Sequence, residues 1–259
     1  MNEIETTLAV CSSEPCEVIK RLAELDSISE YALIPQKSHL IKDTYVDRRD
    51  HALESNKLGL RIRDVDGERL IALKGPSRQN EAGVSERLEL EFKWSEDGLR
   101  RIVEDLSRWG IETQEPRKGL DFERPLPVLS ELGFEVIQRR EDSREVRNVI
   151  RKGDPSNVLA ELVIDSLTFN FKGQQAHHKE VEIEAKSEDG VSALRGLTED
   201  LENIFPLDLI VWDHSKLATG LAIQDMAESG ILKAVLDDHD NLKPEAYSRI
   251  DSYLRARDL

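Results

Sequence analysis

Charged residues recur at alternate positions in several extended stretches of this 259-residue chain. Arg61 and Arg63 flank Ile62, Lys74 closes an apolar run, and Arg87, Glu89 and Glu91 alternate with Leu88, Leu90 and Phe92. Successive side chains of a strand point to opposite faces, so each stretch reads as a strand with one apolar and one charged face. The same alternation places Glu3 and Glu5 near the start and Glu180, Glu182 and Glu184 late in the chain. Residues 134–150 form a long extended run carrying Arg139, Arg140, Arg144 and Arg147. One such strand is an ordinary solvated sheet face. Several of them, each showing one sign of charge, would set like charges against each other, which destabilises a sheet. Turned inward, the residues have a use. Carboxylates hold hard divalent cations, while guanidiniums and ammoniums hold phosphate oxygens, Arg as a planar fork and Lys as a point charge. A chain of phosphates bridged by Mg2+ or Mn2+ fits between two such walls.

The composition narrows the alternatives. With 39% hydrophobic and 34% charged residues the chain supports a core under a heavily charged surface or interior. A net charge of −16 argues against a sequence-independent grip on nucleic acid. The apolar runs are too short to span a bilayer. The acidic opening at Met1–Glu5 has no signal-peptide pattern, and Cys11 and Cys16 suit neither a disulfide framework nor a four-ligand zinc site. A reduced cytoplasmic protein without nucleic-acid or membrane partners is the expectation.

The elements that must position the charges follow in order. Ser13 and Pro15 signal a helix start, continued by Val18, Ile19, Leu22 and Leu25. Strands are expected over 31–34 and 39–47, followed by a turn or short helical piece over 48–53. Ser95-Glu96-Asp97-Gly98 after the Glu89/Glu91 strand, and Ser187-Glu188-Asp189-Gly190 after the Glu180–Glu184 strand, are one device used twice: acidic strand, Ser cap, acidic first turn, amphipathic helix. The echo suggests two related halves. Residues 112–127 read as the linker between them, 128–132 as a short helix, 157–171 as strand carrying Asp165, and 173–178 as a loop that leaves His177 and His178 in solvent. Residues 219–259 read as mostly helical, with Pro244 opening the last helix.

Taken in this order the motifs resemble those of the CYTH, or triphosphate tunnel metalloenzyme, superfamily over residues 3 to about 220. The family's opening Glu-x-Glu-x-Lys corresponds to Glu3-Ile4-Glu5-Thr6-Thr7. Its aromatic-Asp turn corresponds to Tyr45-Val46-Asp47, with Arg48 where Thr is usual, and its Leu-Arg-x-Arg strand to Leu60–Arg63. Leu73-Lys74-Gly75, Arg87-Leu88-Glu89-Leu90-Glu91, the basic run 138–147 led by Arg140 and then Arg144, Asp165, Glu180–Glu184 and Ser215-Lys216 complete the series. The resemblance implies an α+β fold, a closed eight-stranded antiparallel β-barrel with flanking helices. It divides the chain into a triphosphate tunnel domain over 1–220 and a helical extension over 221–259.

It also implies a metal-dependent hydrolase of a triphosphate, inorganic triphosphate first. Glu3, Glu5, Arg61, Arg63, Lys74 and Arg140 would be catalytic, and Arg87, Arg144 and Lys216 would join the basic residues in binding substrate. Glu3, Glu5, Glu89, Glu91, Asp165, Glu180, Glu182 and Glu184 would face Mg2+ or Mn2+. The motif Lys is replaced by Thr7, which brings no charge. That keeps open an organic triphosphatase acting on a nucleotide or thiamine triphosphate, and a protein that binds polyphosphate or nucleotide without turnover. Adenylate cyclase ranks behind these. The role of the helical tail, as a plug, a satellite or a homodimer contact, is open at this point.

Overall fold

A computed structural model describes residues 2–79, 84–114, 119–171 and 173–257. In chain order the elements are β1 (Asn2–Val10), α1 (Pro15–Ala23), β2 (Ser27–Ile28), β3 (Tyr31–Pro35), β4 (His39–Arg48), α2 (Ala52–Ser55), β5 (Gly59–Val65), β6 (Glu68–Lys74), β7 (Arg78–Gln79), β8 (Ser85–Lys93), α3 (Glu96–Arg108) and α4 (Pro125–Glu131). They continue as β9 (Phe134–Arg151), β10 (Val158–Phe171), β11 (Gln174–Ala185), α5 (Glu188–Ile204), β12 (Leu209–Val211), α6 (Lys216–Glu228), a 3-10 turn at Leu232–Val235, and α7 (Pro244–Arg257). The fold is α+β, with the eight-stranded antiparallel β-barrel that the family resemblance implies, made by β1, β4, β5, β6, β8, β9, β10 and β11. Two compact units divide the chain: Met1–Asn2, Ile41–Ser77 and Arg87–Arg140 form one, and Glu3–Leu40, Arg78–Glu86 and Glu141–Leu259 the other.

In the first unit the hydrogen-bonded order is β8-β6-β5-β4-β9. β5 and β6 are joined by a two-residue turn, Asp66-Gly67, with φ of +53° and +82°. Asp-Gly is the pair that adopts this left-handed geometry most readily. The register sets Arg61 opposite Tyr45 and Arg63 opposite Asp43, and Lys74 opposite Glu89. The other face of these strands, with Val46, Leu60, Ile62, Ile71 and Leu73, packs on Leu99, Ile102 and Leu106 of α3 and on Val128 and Leu129 of α4. α3 begins where the sequence places it, since the Ser95 hydroxyl accepts from the Gly98 N–H.

In the second unit the order is β1-β11-β10-β9-β3-β2, with β12 on β1. Glu5, Thr7 and Ala9 lie opposite Glu184, Glu182 and Glu180, and Asp165 of β10 also lies opposite Glu180. The reverse face, with Leu8, Val10, Leu162, Ile164, Val181 and Ile183, is covered by Leu194, Leu197 and Leu201 of α5 and by Val18 and Leu22 of α1. Ser187 caps α5 through the Gly190 N–H as Ser95 caps α3. A further apolar cluster joins Ala9, Leu167, Phe169 and Ala176 of the strands to Trp212, Ala222, Ile223, Met226, Tyr247, Ile250 and Leu254. The tail therefore packs on the face of β1, β10 and β11 that carries Glu5, Asp165 and Glu180.

Several local expectations are corrected. Ser13 does not cap α1: Glu14 is the cap residue and makes no side-chain bond there, while Ser12 accepts from the Glu14 N–H. The helix after the predicted linker starts at Pro125, whose fixed φ and missing donor suit a first turn. Residues 115–118 of that linker, and Met1 of the acidic opening, lie outside the described residues. α6 begins at Lys216, three residues earlier than predicted, because Ser215 accepts from the Ala218 N–H. The loop predicted over 173–178 is strand from Gln174 onward, paired residue by residue with β10. His178 is consequently fully buried, not solvated.

Candidate functional site

The first unit gathers Asp43, Tyr45, Arg61, Arg63, Lys74, Glu89, Glu91 and Arg140. Alternation on β5 and the paired registers bring them to one face, away from the α3 core. Arg63 forks onto both oxygens of Asp43 at 2.8 and 2.9 Å. Arg140 donates to Asp43 at 2.8 Å and to the Tyr45 hydroxyl at 3.1 Å, with its guanidinium 4.9 Å from the Tyr45 ring centre. Arg61 lies 3.5 Å from Asp43 and donates to Glu89 at 3.0 Å, and Lys74 reaches the other Glu89 oxygen at 2.9 Å. Glu91 lies 3.7 Å from Arg61. Arg87 shares the Glu89 and Glu91 parity on β8. Burial opposes ionisation of Asp43, yet Arg61, Arg63 and Arg140 hold its carboxyl well below the usual carboxylate range. Burial would also raise the Tyr45 phenol, but Arg140 and Arg61 bring it down to about 8.

The second unit gathers Arg144, Asp165, Glu180, Glu182 and Lys216. Arg144 forks onto Asp165 at 2.9 and 2.7 Å and reaches Glu182 at 3.1 Å. Lys216, at the first turn of α6, places its ammonium 3.0 Å from Asp165, 2.5 Å from Glu182, and in contact with Glu180. Burial disfavours the ammonium, but Glu180, Glu182 and Asp165 raise its pKa far above the ordinary lysine value. Burial likewise penalises the Glu180 carboxylate, while Lys216 and a hydrogen bond from His178 hold its pKa below normal. Glu184 stands apart from this group, sharing Lys186 with Glu161. Burial raises its carboxyl against the pull of Lys186, and Glu3 and Glu161 add to the rise. Glu5 is buried opposite Glu184 on β1.

One oxygen from each of Asp165, Glu180 and Glu182 lies within 4.8 Å of the others, and all three residues are buried. An all-oxygen donor set of this kind fits a hard divalent ion. A second acidic group, Asp47, His51 and Glu54, is explained locally. The Asp47 oxygens accept the backbone N–H groups of Arg48, Leu53 and Glu54, so that carboxylate closes a loop.

A family model described as the CYTH domain matches residues 18–207, more than half of the chain. This chain belongs to the CYTH family. Its CYTH fold is similar to the structure of HpAC1 from Hippeastrum, an adenylyl cyclase candidate described as having a dominant triphosphatase activity. Identity is 19%, the match covers 88% of this chain and 96% of that one, and the TM-score is 0.52. The protein PH1819 from Pyrococcus horikoshii OT3 is 19% identical over 88% of this chain and 99% of its own, with a TM-score of 0.46. The S. pombe RNA triphosphatase Pct1 is 9% identical over 83% of this chain and 87% of its own, with a TM-score of 0.37. No curated protein matches the sequence significantly. Among the described residues no helix is long and apolar enough to cross a membrane.

Charge is distributed differently from the two walls of opposite sign expected from the alternating strands. Cations and carboxylates are interleaved in both units, because neighbouring strands put Lys74 opposite Glu89 and because α6 delivers Lys216 onto the acidic strands. Three participants escaped the sequence reading. Asp43 continues the alternation of Tyr45 and Asp47 on β4, which is the signal that places it on this face. His178 extends the Glu180–Glu184 alternation by one step. Tyr247, on α7, has no local signal at all.

Proposed function

We propose that this CYTH protein is a metal-dependent hydrolase of triphosphates, with inorganic triphosphate as substrate. The observation that carries the reading is the convergence of Asp165, Glu180 and Glu182 beside Arg144 and Lys216, which puts a hard-cation donor set next to phosphate-binding groups. A divalent ion such as Mg2+ or Mn2+ would supply charge neutralisation and a water of lowered pKa. Asp165, Glu180 and Glu182 would hold it, with Glu3, Glu5, Glu89, Glu91 and Glu184 as further carboxylates, directly or through water. Arg61, Arg63, Lys74, Arg87, Arg140, Arg144 and Lys216 would neutralise and align phosphate oxygens. Phosphoryl transfer depends chiefly on such positioning and charge stabilisation. The same reading keeps residues 1–220 as the triphosphate domain, 221–259 as a helical extension, and the protein in the cytoplasm.

The test is phosphate release from inorganic triphosphate, ATP and thiamine triphosphate in Mg2+, Mn2+ and EDTA, with Glu89→Gln alongside. Release that EDTA abolishes and Glu89→Gln lowers by far more than it lowers stability is expected. The substrate ranking separates inorganic from organic triphosphatase. A binding protein without turnover is the second reading, favoured by Thr7, which stands opposite Glu182 without the ammonium of the family motif. Triphosphate that raises thermal stability but is never cleaved would establish it.

A further inference from the structure

Glu180 is the carboxylate of the triad whose surroundings reach furthest from the motifs. Its Oε2 lies 2.8 Å from Nε2 of His178, and Nδ1 of His178 lies 3.1 Å from the hydroxyl of Tyr247, 69 residues away on α7. The two rings stand 5.7 Å apart, and Tyr247 is braced edge-on by Trp212 at 5.5 Å. Trp212 is itself fixed by a 3.0 Å bond to the Thr219 hydroxyl. His178, Glu180 and Tyr247 are all buried to 2% exposure or less.

The chemistry of these groups sets the direction of the bonds. An ionised carboxylate only accepts, so Nε2 of His178 carries the proton and donates to Glu180. The Tyr247 hydroxyl faces the remaining nitrogen. A carboxylate is free to pivot about its last torsion unless a partner holds it; here Oε2 accepts from His178, and Oε1 is turned toward Lys216, where Asp165 Oδ2 and Glu182 Oε1 also converge. Ligating carboxylates are themselves held by hydrogen bonds, and losing such an outer partner typically costs about 10–100-fold in metal affinity or activity.

We propose that His178 and Tyr247 are positioning residues for Glu180, and that through them the C-terminal helix is part of the support of the cation site. This rests on the reading of Asp165, Glu180 and Glu182 as cation ligands. It gives the 221–259 segment a function: it anchors a carboxylate from behind.

The experiment measures Mn2+ binding to the 259-residue chain through the electron paramagnetic resonance signal of free Mn2+. Wild type, Glu180→Gln, His178→Leu, His178→Gln and Tyr247→Phe are compared, with far-UV circular dichroism and Tm recorded for each. His178→Leu is expected to weaken Mn2+ binding about tenfold or more. His178→Gln, whose amide can still donate to Oε2, is expected to recover most of that loss, and Tyr247→Phe to show a smaller loss at an unchanged fold. If His178→Leu does not fold, Tyr247→Phe decides. Wild-type affinity in folded His178→Leu, or in Tyr247→Phe where His178→Leu does not fold, while Glu180→Gln loses binding, would overturn the inference and leave the ligand assignment standing. A wild type that takes up no Mn2+, or a Glu180→Gln variant that binds as well as wild type, would overturn the ligand assignment and this inference with it.

Discussion

The Lys216 ammonium stands 3.0 Å from Asp165 and 2.5 Å from Glu182, inside the same group of carboxylates that suits a divalent ion. At the proposed site a divalent ion would therefore compete with this ammonium for the same carboxylates. Removing one partner of a buried ion pair typically costs about 3–5 kcal/mol, because the other charge is left uncompensated. Lys216→Met is therefore expected to lower Tm in EDTA and to gain more from added Mn2+ than wild type does, since binding to the native state stabilises it. Thermal shifts of equal size in the two proteins would show that Lys216 and the metal do not compete.

Tyr45 provides an optical report on the other unit. Its phenol, brought down to about 8 by Arg140 and Arg61 against burial, belongs to one of four tyrosines in the chain. An ultraviolet difference titration should show one phenol ionising near about pH 8, absent in Tyr45→Phe, while an unfolded tyrosine ionises near about 10. Between those values the unfolded chain binds the extra proton, so this residue's contribution to stability grows as pH rises through the window and is lost again as pH falls through about 8. Triphosphate that engages Arg140 and Arg61 should push the Tyr45 transition upward. A transition that stays in place with saturating triphosphate would remove both arginines from the binding set.

Asp43 is the acceptor on which Arg61, Arg63 and Arg140 converge. Asp43→Asn leaves three guanidiniums around a neutral amide and should cost about 3–5 kcal/mol in urea unfolding. Its folded-state carboxyl titrates well below the usual range, so the unfolded chain takes up this proton first as acid is added. The stability it contributes is complete above about pH 3.9 and falls away as pH drops toward the folded value. A urea midpoint that Asp43→Asn leaves unchanged at neutral pH would mean the three arginines are satisfied without it.

The repeated Ser-Glu-Asp-Gly device explains its own glycines. A Cβ on Gly190 would collide with the Leu159 carbonyl, and one on Gly98 with the Lys93 carbonyl. Gly196, in the middle of the same helix as Gly190, has open space around it. Gly190→Ala should destabilise by about 1–3 kcal/mol or more through backbone overpacking, whereas Gly196→Ala should stabilise by about 0.5–1 kcal/mol. Urea midpoints moving the same way for both would contradict the packing seen at α5.

Strand alternation and capping chemistry are local properties, and both were legible. The charged strands, Ser95, Ser187 and the apolar faces of α3 and α5 stand where the sequence puts them. Partnership across the sheet was not. That Asp43 faces Arg63 depends on the β4–β5 register, and the buried place of His178 depends on β10 imposing strand geometry on a segment, Gln174–His178, without β-branched residues of its own. The contact of His178 with Tyr247 joins residues 69 apart through the packing of α7, which no local pattern encodes. Ser13 misled because two serines precede Pro15, and the one that bonds the turn is Ser12.

Four basic residues of the first unit are engaged already: Arg61 and Lys74 by Glu89, Arg63 and Arg140 by Asp43. A phosphate chain bound here as proposed would compete with these carboxylates for the guanidiniums and the ammonium. A monoanion offers one partner and gains little by the swap, whereas a linear polyanion presents several in sequence and can release several carboxylates at once. Selection would then operate on ligand valence, through a resident set of counter-anions that only a multiply charged chain displaces. Because salt screens the resident pairs and the incoming ones alike, the affinity should depend on ionic strength less steeply than that of an open basic patch.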